Sequence, residues 1–473
     1  MKLKRRDYIK AGGVAAGVVA LNGMAALGKM SRRPNILYIF SDQQHWQAVG
    51  HMDPWFDTPH QDRLAAESVV FENAYCTTPQ CSASRSSMLT GYYPHKTQVM
   101  ANIGHTGGNA LELPTLGSYL QAEGYDTLYY GKWHLGKHPA PRAGWNQYDE
   151  TNRPDHRKTV KAEEYFAQRK AGDEPFFMVL SYDDPHDIYK FKAGETGLST
   201  DGVELPKSYY EESFANKPAV QEQFMREDQG VRLYGNPEAA WKEYRAFYKN
   251  KTQLYDDEVG MVIDALKKNG LYEDTIIIVG SDHGDMDTHH KLMFKGPFMY
   301  EQMVRVPFMM RVPGQFGGTA PKRVADFDTV NVDLFPTVCE FARVDLPPRD
   351  GLSLKPMLTG QGGQRKRDFV VTQYYGKQYW VNPARMIKRG PYKLIKWIDH
   401  GEELYNLNTD PDELVNLAVE KSMAGVVAEL NGLLNQWIEE HEDPFYSLKP
   451  VSHAEGKRIG EAKKKKKSKA SKS

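Results

Sequence analysis

"TIIIVGSDHG" (Thr275–Gly284) is the stretch on which the fold turns. Thr275 to Val279 form an unbroken β-branched and apolar run with no polar alternation, which predicts a strand buried on both faces, as in a parallel sheet. The run ends at Gly280 and passes straight into Ser281, Asp282 and His283. The same grammar recurs upstream. "NILYIF" (Asn35–Phe40) runs into "SDQQH", "DTLYYG" (Asp126–Gly131) into "KWHLGKH", and "PFFMVLSY" (Pro175–Tyr182) into "DDPHD". Helical patterns separate them. "TLGSYLQAEGY" (Thr115–Tyr125) is closed by Gly124. Lys251–Gly270 places Leu254, Val259, Val262, Ile263 and Leu266 at helical spacing, with Gly270 as a stop. Alternation of this kind predicts an α/β fold: a large, mostly parallel sheet sandwiched by helices.

Beyond "DLFPTVCEFA" (Asp333–Ala342), read as a helix, the pattern changes. "RDFVVTQYY", "YWVNPARMIKRG" and "PYKLIKWI" read as successive antiparallel strands, and Met423–Glu442 as a helix. The expected organisation is an export signal and linker over 1–33, a catalytic α/β domain over 34–345, a smaller C-terminal α+β domain over 346–450, and a Lys-rich, disordered tail over 451–473. A long mixed stretch, Leu198–Asn236, is the candidate specificity insertion.

The 473 residues have a net charge of zero, but the ends distort it. Residues 1–10 carry +4 and Lys463–Ser473 carry +7, which leaves the body at −11. A mildly acidic body argues against nucleic acid as a partner. Arg5-Arg6, followed by an apolar Gly/Ala-rich run too short for a stable membrane span, reads as a twin-arginine export signal, hence a periplasmic or secreted protein. No feature of the sequence points to an oligomeric state.

Ligands of an open parallel sheet bind outside the carboxyl ends of its strands, where all four polar clusters fall. Asp42, Gln43 and Asp282 offer hard oxygens suited to Ca²⁺ or Mg²⁺, and His283 adds a nitrogen. Zinc is ranked low, because C-x-x-C spacing is absent. Lys132, His134, His186, His290 and Lys295 would surround an anion, the lysines neutralising charge and the histidines moving protons. A divalent cation with lysines and histidines suits a tetrahedral oxyanion ester. Three cysteines cannot build a disulfide framework. Cys76 and Cys81 are close enough in sequence to pair, and Cys339 reads as core. His45, His51, His105 and His138 read as loop or surface residues. Tyr189, Tyr374, Tyr375, Tyr379 and Trp380 suit either sugar stacking or, the preferred reading, strand packing.

These residues resemble the type I, formylglycine-dependent sulfatases of the alkaline phosphatase superfamily, from about residue 35 to 418. "CSASR" (Cys81–Arg85) with the following "SSMLTGYYPH" resembles the family's signature, and "GKWHLG", "DDPH", "SDHGDM" and "KGPF" follow in the family's order. "EELYNLNTDPDELVNLA" (Glu402–Ala418) resembles its C-terminal region. The resemblance implies conversion of Cys81 to formylglycine, whose hydrate attacks the sulfate. It implies that Arg85 holds this hydrate and the metal-side oxygens, and that Asp42, Gln43, Asp282 and His283 bind Ca²⁺. Lys132 and Lys295 would neutralise the sulfate, His134 would assist its release, and His186 with Lys295 would protonate the leaving alcohol. His290 would contact the substrate, a sulfated carbohydrate or other sulfate ester. Ala83 stands where the family commonly has Pro, which implies a radical-type maturase as partner. Gln43 stands where a second carboxylate is usual, and His283 where many relatives have Asn. The alternatives are a phosphodiester or phosphonate monoester hydrolase on the same fold, and a non-catalytic sulfated-glycan-binding protein.

Overall fold

The computed structural model describes residues 33–361 and 367–470. The expected export signal lies outside them. The strands are β1 (Asn35–Asp42), β2 (Val69–Phe71), β3 (Ala74–Tyr75), β4 (Asp126–Gly131), β5 (Gln147–Asp149), β6 (Phe176–Pro185), β7 (Thr275–Ser281), β8 (Phe308–Arg311), β9 (Lys322–Val324), β10 (Thr329–Val330), β11 (Val370–Lys377), β12 (Trp380–Arg389), β13 (Tyr392–Trp397) and β14 (Glu402–Asn406). Eight of them form one sheet in the order β5-β4-β6-β1-β7-β8-β2-β9. Only β8 runs against its neighbours. The expected mostly parallel α/β sheet is present.

The continuous apolar runs occupy the centre of this sheet because both of their faces are covered. Ile36, Tyr38, Phe177, Val179, Ile276 and Ile278 pack on one side against Leu89, Leu116, Leu120, Phe335 and Val338. Leu37, Ile39, Met178, Leu180, Ile277 and Val279 pack on the other against Ala162, Phe166, Val259, Val262 and Leu266. Burying a side chain of this size contributes about 1.5–3 kcal/mol. The register sets Phe40 beside Ser181, Gly131 beside Ser181 and Ser41 beside Ser281, so β1, β4, β6 and β7 end level.

The helix expected over Lys251–Gly270 begins earlier and runs Glu238–Lys268. Its buried stripe is Trp241, Tyr244, Tyr248, Thr252, Tyr255, Val259 and Val262, whereas Leu254 faces solvent. Large tyrosines, not aliphatics, carry the first half of the stripe. The insertion before it is not a plain loop, since it holds short helices at Lys207–Glu211 and Val220–Glu227.

Strands β11 to β14 form a separate antiparallel sheet in sequence order, and the helix Ala424–Glu440 lays Leu430, Leu434, Trp437 and Ile438 into its core. This sheet is tied to the segment just before Cys81. Gln373 N–H donates to the Thr77 carbonyl at 2.7 Å and Thr372 Oγ1 to the Cys76 carbonyl at 2.8 Å. The tail expected to be disordered is helical over His453–Ala470. Ala, Glu and Lys all favour helix, and Gly456 and Gly460 let the first turns lie against Tyr379, where a Cβ at Gly456 would come within 2.9 Å of backbone. Among the described residues no helix is long and apolar enough to cross a membrane.

Candidate active site

Cys81 begins the helix Cys81–Thr90, every residue of which is buried. Its first turn is braced from outside: Asn102 Oδ1 accepts from Ser82 N–H at 3.0 Å, and Ser82 Oγ accepts from Ile103 N–H at 3.2 Å. Gly91 ends the helix at φ +73°, and its N–H closes on the Ser87 carbonyl. The Cys81 sulfur is aimed at the level strand ends. It lies 2.8 Å from Lys295 Nζ, 3.1 Å from His283 Nε2 and 3.5 Å from Asp42 Oδ1. His134 and His186 reach it from the exits of β4 and β6. Burial alone would push its thiol up, but Lys295, Lys132 and His283 hold it well below the ordinary value.

Four turns turn four strand ends into one site. Gly131 at φ +106°, where a Cβ would stand 2.1 Å from the Ser181 carbonyl oxygen, lets the chain bend so that Lys132 follows inward. Lys132 Nζ then pairs with Asp42 Oδ2 at 2.5 Å. Burial would discharge both lysines, yet Asp42 and Cys81 keep the Lys132 and Lys295 ammoniums above their ordinary range. Gln43 (φ 75°) and His134 (φ 56°) adopt left-handed backbone that non-glycine residues rarely take, a strain found where geometry serves function.

Arg85, one turn along the helix from Cys81, is fully buried. Its Nε donates to Asp282 Oδ2 and its Nη2 to Asp42 Oδ2, both at 2.8 Å, while Nη1 donates to the Lys132 carbonyl and to Ser181 Oγ. Its hydrogen bonds therefore clamp the two carboxylates and the β4 exit, in line with the metal-side half of the role the resemblance implied. Burial and the Asp42 charge push Asp282 above the usual carboxylate range, whereas Lys132, His186 and Arg85 hold Asp42 far below it despite burial. A cation between two such carboxylates would relieve the strain between them.

The carboxylates, with the Gln43 amide oxygen and His283, are residues that could hold a divalent ion. Ligand atoms from Asp42, Cys81, Asp282 and His283 lie within 4.8 Å of one another. Gln43 Oε1 joins this neighbourhood through Lys295 Nζ at 2.7 Å. His283 Nδ1 sits 2.9 Å from the Gly284 carbonyl, so Nδ1 carries a proton and Nε2 is the nitrogen that faces the site.

Of the expected site residues, the structure gathers Asp42, Gln43, Cys81, Arg85, Lys132, His134, His186, Asp282, His283 and Lys295. His290 faces elsewhere: its ring stacks on Tyr300 at 3.7 Å and its Nδ1 lies 2.5 Å from Glu212 Oε2. Positive φ at Asp287, Thr288 and His290 turns the loop so that this histidine packs beneath the insertion. His45 is not a surface residue. It is buried between Phe56 and Tyr248 with Nε2 3.4 Å from Asp287. All three cysteines are free, and Cys76 Sγ is directed at the Met303 carbonyl, not at Cys81. Tyr374 and Trp380 are core, and Tyr189 stacks on Phe294 at 4.1 Å beside His186 and Lys295, in line with packing. Sequence reasoning missed Asp285, which holds the Gln43 amide at 2.6 Å, and Lys377, whose ammonium donates to the Lys295 carbonyl from the tip of the β11–β12 hairpin. Asp285 lies inside the quoted "SDHGDM", but Lys377 has no local signal.

The sulfatase family model matches residues 34–344. The chain belongs to the sulfatase family. This sulfatase also matches the N-sulphoglucosamine sulphohydrolase C-terminal model over residues 289–440. It is a sulfuric ester hydrolase of the alkaline phosphatase-like fold. It is 28% identical over 455 residues to a Delta 4,5-hexuronate-2-O-sulfatase of Bacteroides thetaiotaomicron, covering 91% of this chain and 94% of that one. An ulvan-active sulfatase of Formosa agariphila is 26% identical, with 90% and 86% covered. The solved structure of a 2-O GAG sulfatase superposes with a TM-score of 0.82 at 28% identity, covering 90% of this sulfatase and 96% of that chain. The phosphonate monoester hydrolase of Agrobacterium radiobacter shares the fold more distantly, with a TM-score of 0.68 at 20% identity and 89% and 99% covered.

Proposed function

We propose that this sulfatase hydrolyses sulfate monoesters on a sulfated carbohydrate, in the periplasm or outside the cell, after export by the twin-arginine signal and conversion of Cys81 to formylglycine by a radical-type maturase. One observation carries the chemistry: two buried lysines and two imidazoles converge on the Cys81 side chain, and the Nδ1 atoms of His134 and His186 are buried without a partner. Such a site is preorganised for an anion that also takes and gives protons. Asp42, Gln43, Asp282 and His283 would hold Ca²⁺, or Mg²⁺ in its place. When present, the cation would supply charge withdrawal from the sulfate oxygens, and the formylglycine hydrate the attacking oxygen.

The protein's own groups do the rest. Lys132 and Lys295 hold sulfate oxygens and offset their charge. Arg85 bridges the two carboxylates and holds them in place. Burial and Lys132 depress His186 to about 4, so it is neutral at working pH, and the arriving ester's negative charge raises it toward proton donation to the leaving oxygen. His134 takes a proton as sulfate departs. A carbohydrate substrate is supported by the names of the hexuronate-2-O- and ulvan-active relatives.

The test is turnover on a panel of sulfated glycans, their oligosaccharides and matched aryl sulfate, phosphodiester and phosphonate esters. Highest kcat/KM on a sulfated saccharide is expected, lost in His134→Ala and Lys295→Ala. Faster phosphodiester than sulfate turnover would overturn the reading.

A further inference from the structure

Asp285 is fully buried two residues beyond His283, and three donors converge on it. Gln43 Nε2 donates to Oδ2 at 2.6 Å, and Tyr244 O–H and Asp287 N–H donate to Oδ1 at 3.0 and 2.8 Å. At the other end of the Gln43 side chain, Oε1 accepts from Lys295 Nζ at 2.7 Å. An ammonium can only donate, and a carboxylate met by three donors accepts. A glutamine amide between them has one satisfied orientation, nitrogen toward Asp285 and oxygen toward Lys295 and the strand ends. The reverse would set N–H against ammonium and C=O against carboxylate, with neither pair hydrogen-bonded in a buried site. The Gln43 backbone is fixed as well: its N–H donates to Asp282 Oδ1 at 3.1 Å and its carbonyl accepts from Tyr248 O–H at 2.8 Å.

We propose that Asp285 is the positioning residue that makes the neutral Gln43 an oxygen donor to the cation site. Asp285 then supplies, one hydrogen bond away, the negative charge that a carboxylate at position 43 would carry itself. The role rests on the calcium site proposed above.

Calcium binding to the chelator-stripped protein, measured by titration calorimetry, tests it without substrate. In Asp285→Asn, Tyr244 O–H and the Asp287 N–H hold the carbonyl of the substituted side chain, so its N–H₂ faces Gln43. Gln43 must then turn its oxygen away from the cation. The calcium Kd is expected to rise at least about tenfold, equal to about 1.4 kcal/mol. In the double variant Gln43→Glu/Asp285→Asn, the same N–H₂ donates to a carboxylate whose other oxygen faces the cation, and the Kd is expected to return to the parent value or below. That recovery separates orientation from collapse, because both variants carry the same amide at position 285. An unchanged Kd in the single variant, or no recovery in the double, overturns the role of Asp285. A parent protein that binds no calcium contradicts the calcium site itself, and the Asp285 role falls with it.

Discussion

Two buried ionic clusters in this sulfatase are built on opposite plans. In the C-terminal sheet, Arg385 meets Asp443 through two hydrogen bonds of 2.6 Å, and Gln373 and the Phe445 N–H fill the remaining carboxylate positions. Every charge there has its counter-charge, and Arg385 holds Asp443 below the usual range despite burial. Around Cys81, Arg85 and Lys132 pair with Asp42 and Asp282, Lys295 Nζ meets the Cys81 sulfur and Gln43 Oε1 instead of a carboxylate, and two imidazole nitrogens have no partner. A closed cluster stabilises a fold, while an open one with surplus cations is completed by what it binds.

Removing one charge from each should therefore have opposite signatures. Lys295→Ala is expected to lower kcat/KM on a sulfate ester by about a thousandfold or more, about 4 kcal/mol, while Tm holds or rises because a surplus cation is gone. A large Tm loss would mean that this cluster too is structural. Arg385→Met is expected to do the reverse. It strands Asp443 and costs about 3–5 kcal/mol of stability in denaturant titration, with kcat/KM of the folded fraction changed by less than about threefold.

Much of this contrast is legible in the sequence, and the illegible part has a physical cause. "NILYIF" and "TIIIVG" could only be strands covered on both faces, and polar clusters at their exits had to share one end of the sheet. Cys81 and Arg85 stand one helical turn apart, and the resemblance gave Arg85 the metal-side oxygens, but neither said that one guanidinium bridges Asp42 and Asp282. That depends on β1 and β7 lying side by side, a long-range pairing no local pattern encodes. His290 shows the same limit, since left-handed turns around it reverse its direction. The helix start at Glu238 was hidden because Trp241, Tyr244 and Tyr248, not aliphatics, form the first half of its buried stripe. Strand β14 was hidden because "EELYN" has only Leu404 and Tyr405 to signal burial.

A subtler difference is expected in pH dependence. His186 lies near 4 in the folded protein against an ordinary 6.5, so between these values the unfolded chain binds the extra proton and stability falls as pH falls. His186→Asn is expected to flatten the decline of Tm between pH 6.5 and 4, and an unchanged slope would contradict the depression. The smallest effect is expected at Leu254, which the helical pattern marked as apolar face but which is 43% exposed. Leu254→Gln should change stability by no more than about 0.5 kcal/mol, and a loss of several would mean that this helix packs on a different face.

The most direct test of the open cluster is the mass of the peptide that contains Cys81, from protein produced with a competent maturase. The account predicts the mass in which the thiol has been replaced by an aldehyde, in step with the active fraction. A peptide found only with its unmodified thiol, in protein that still turns over sulfate ester at full rate, would contradict it.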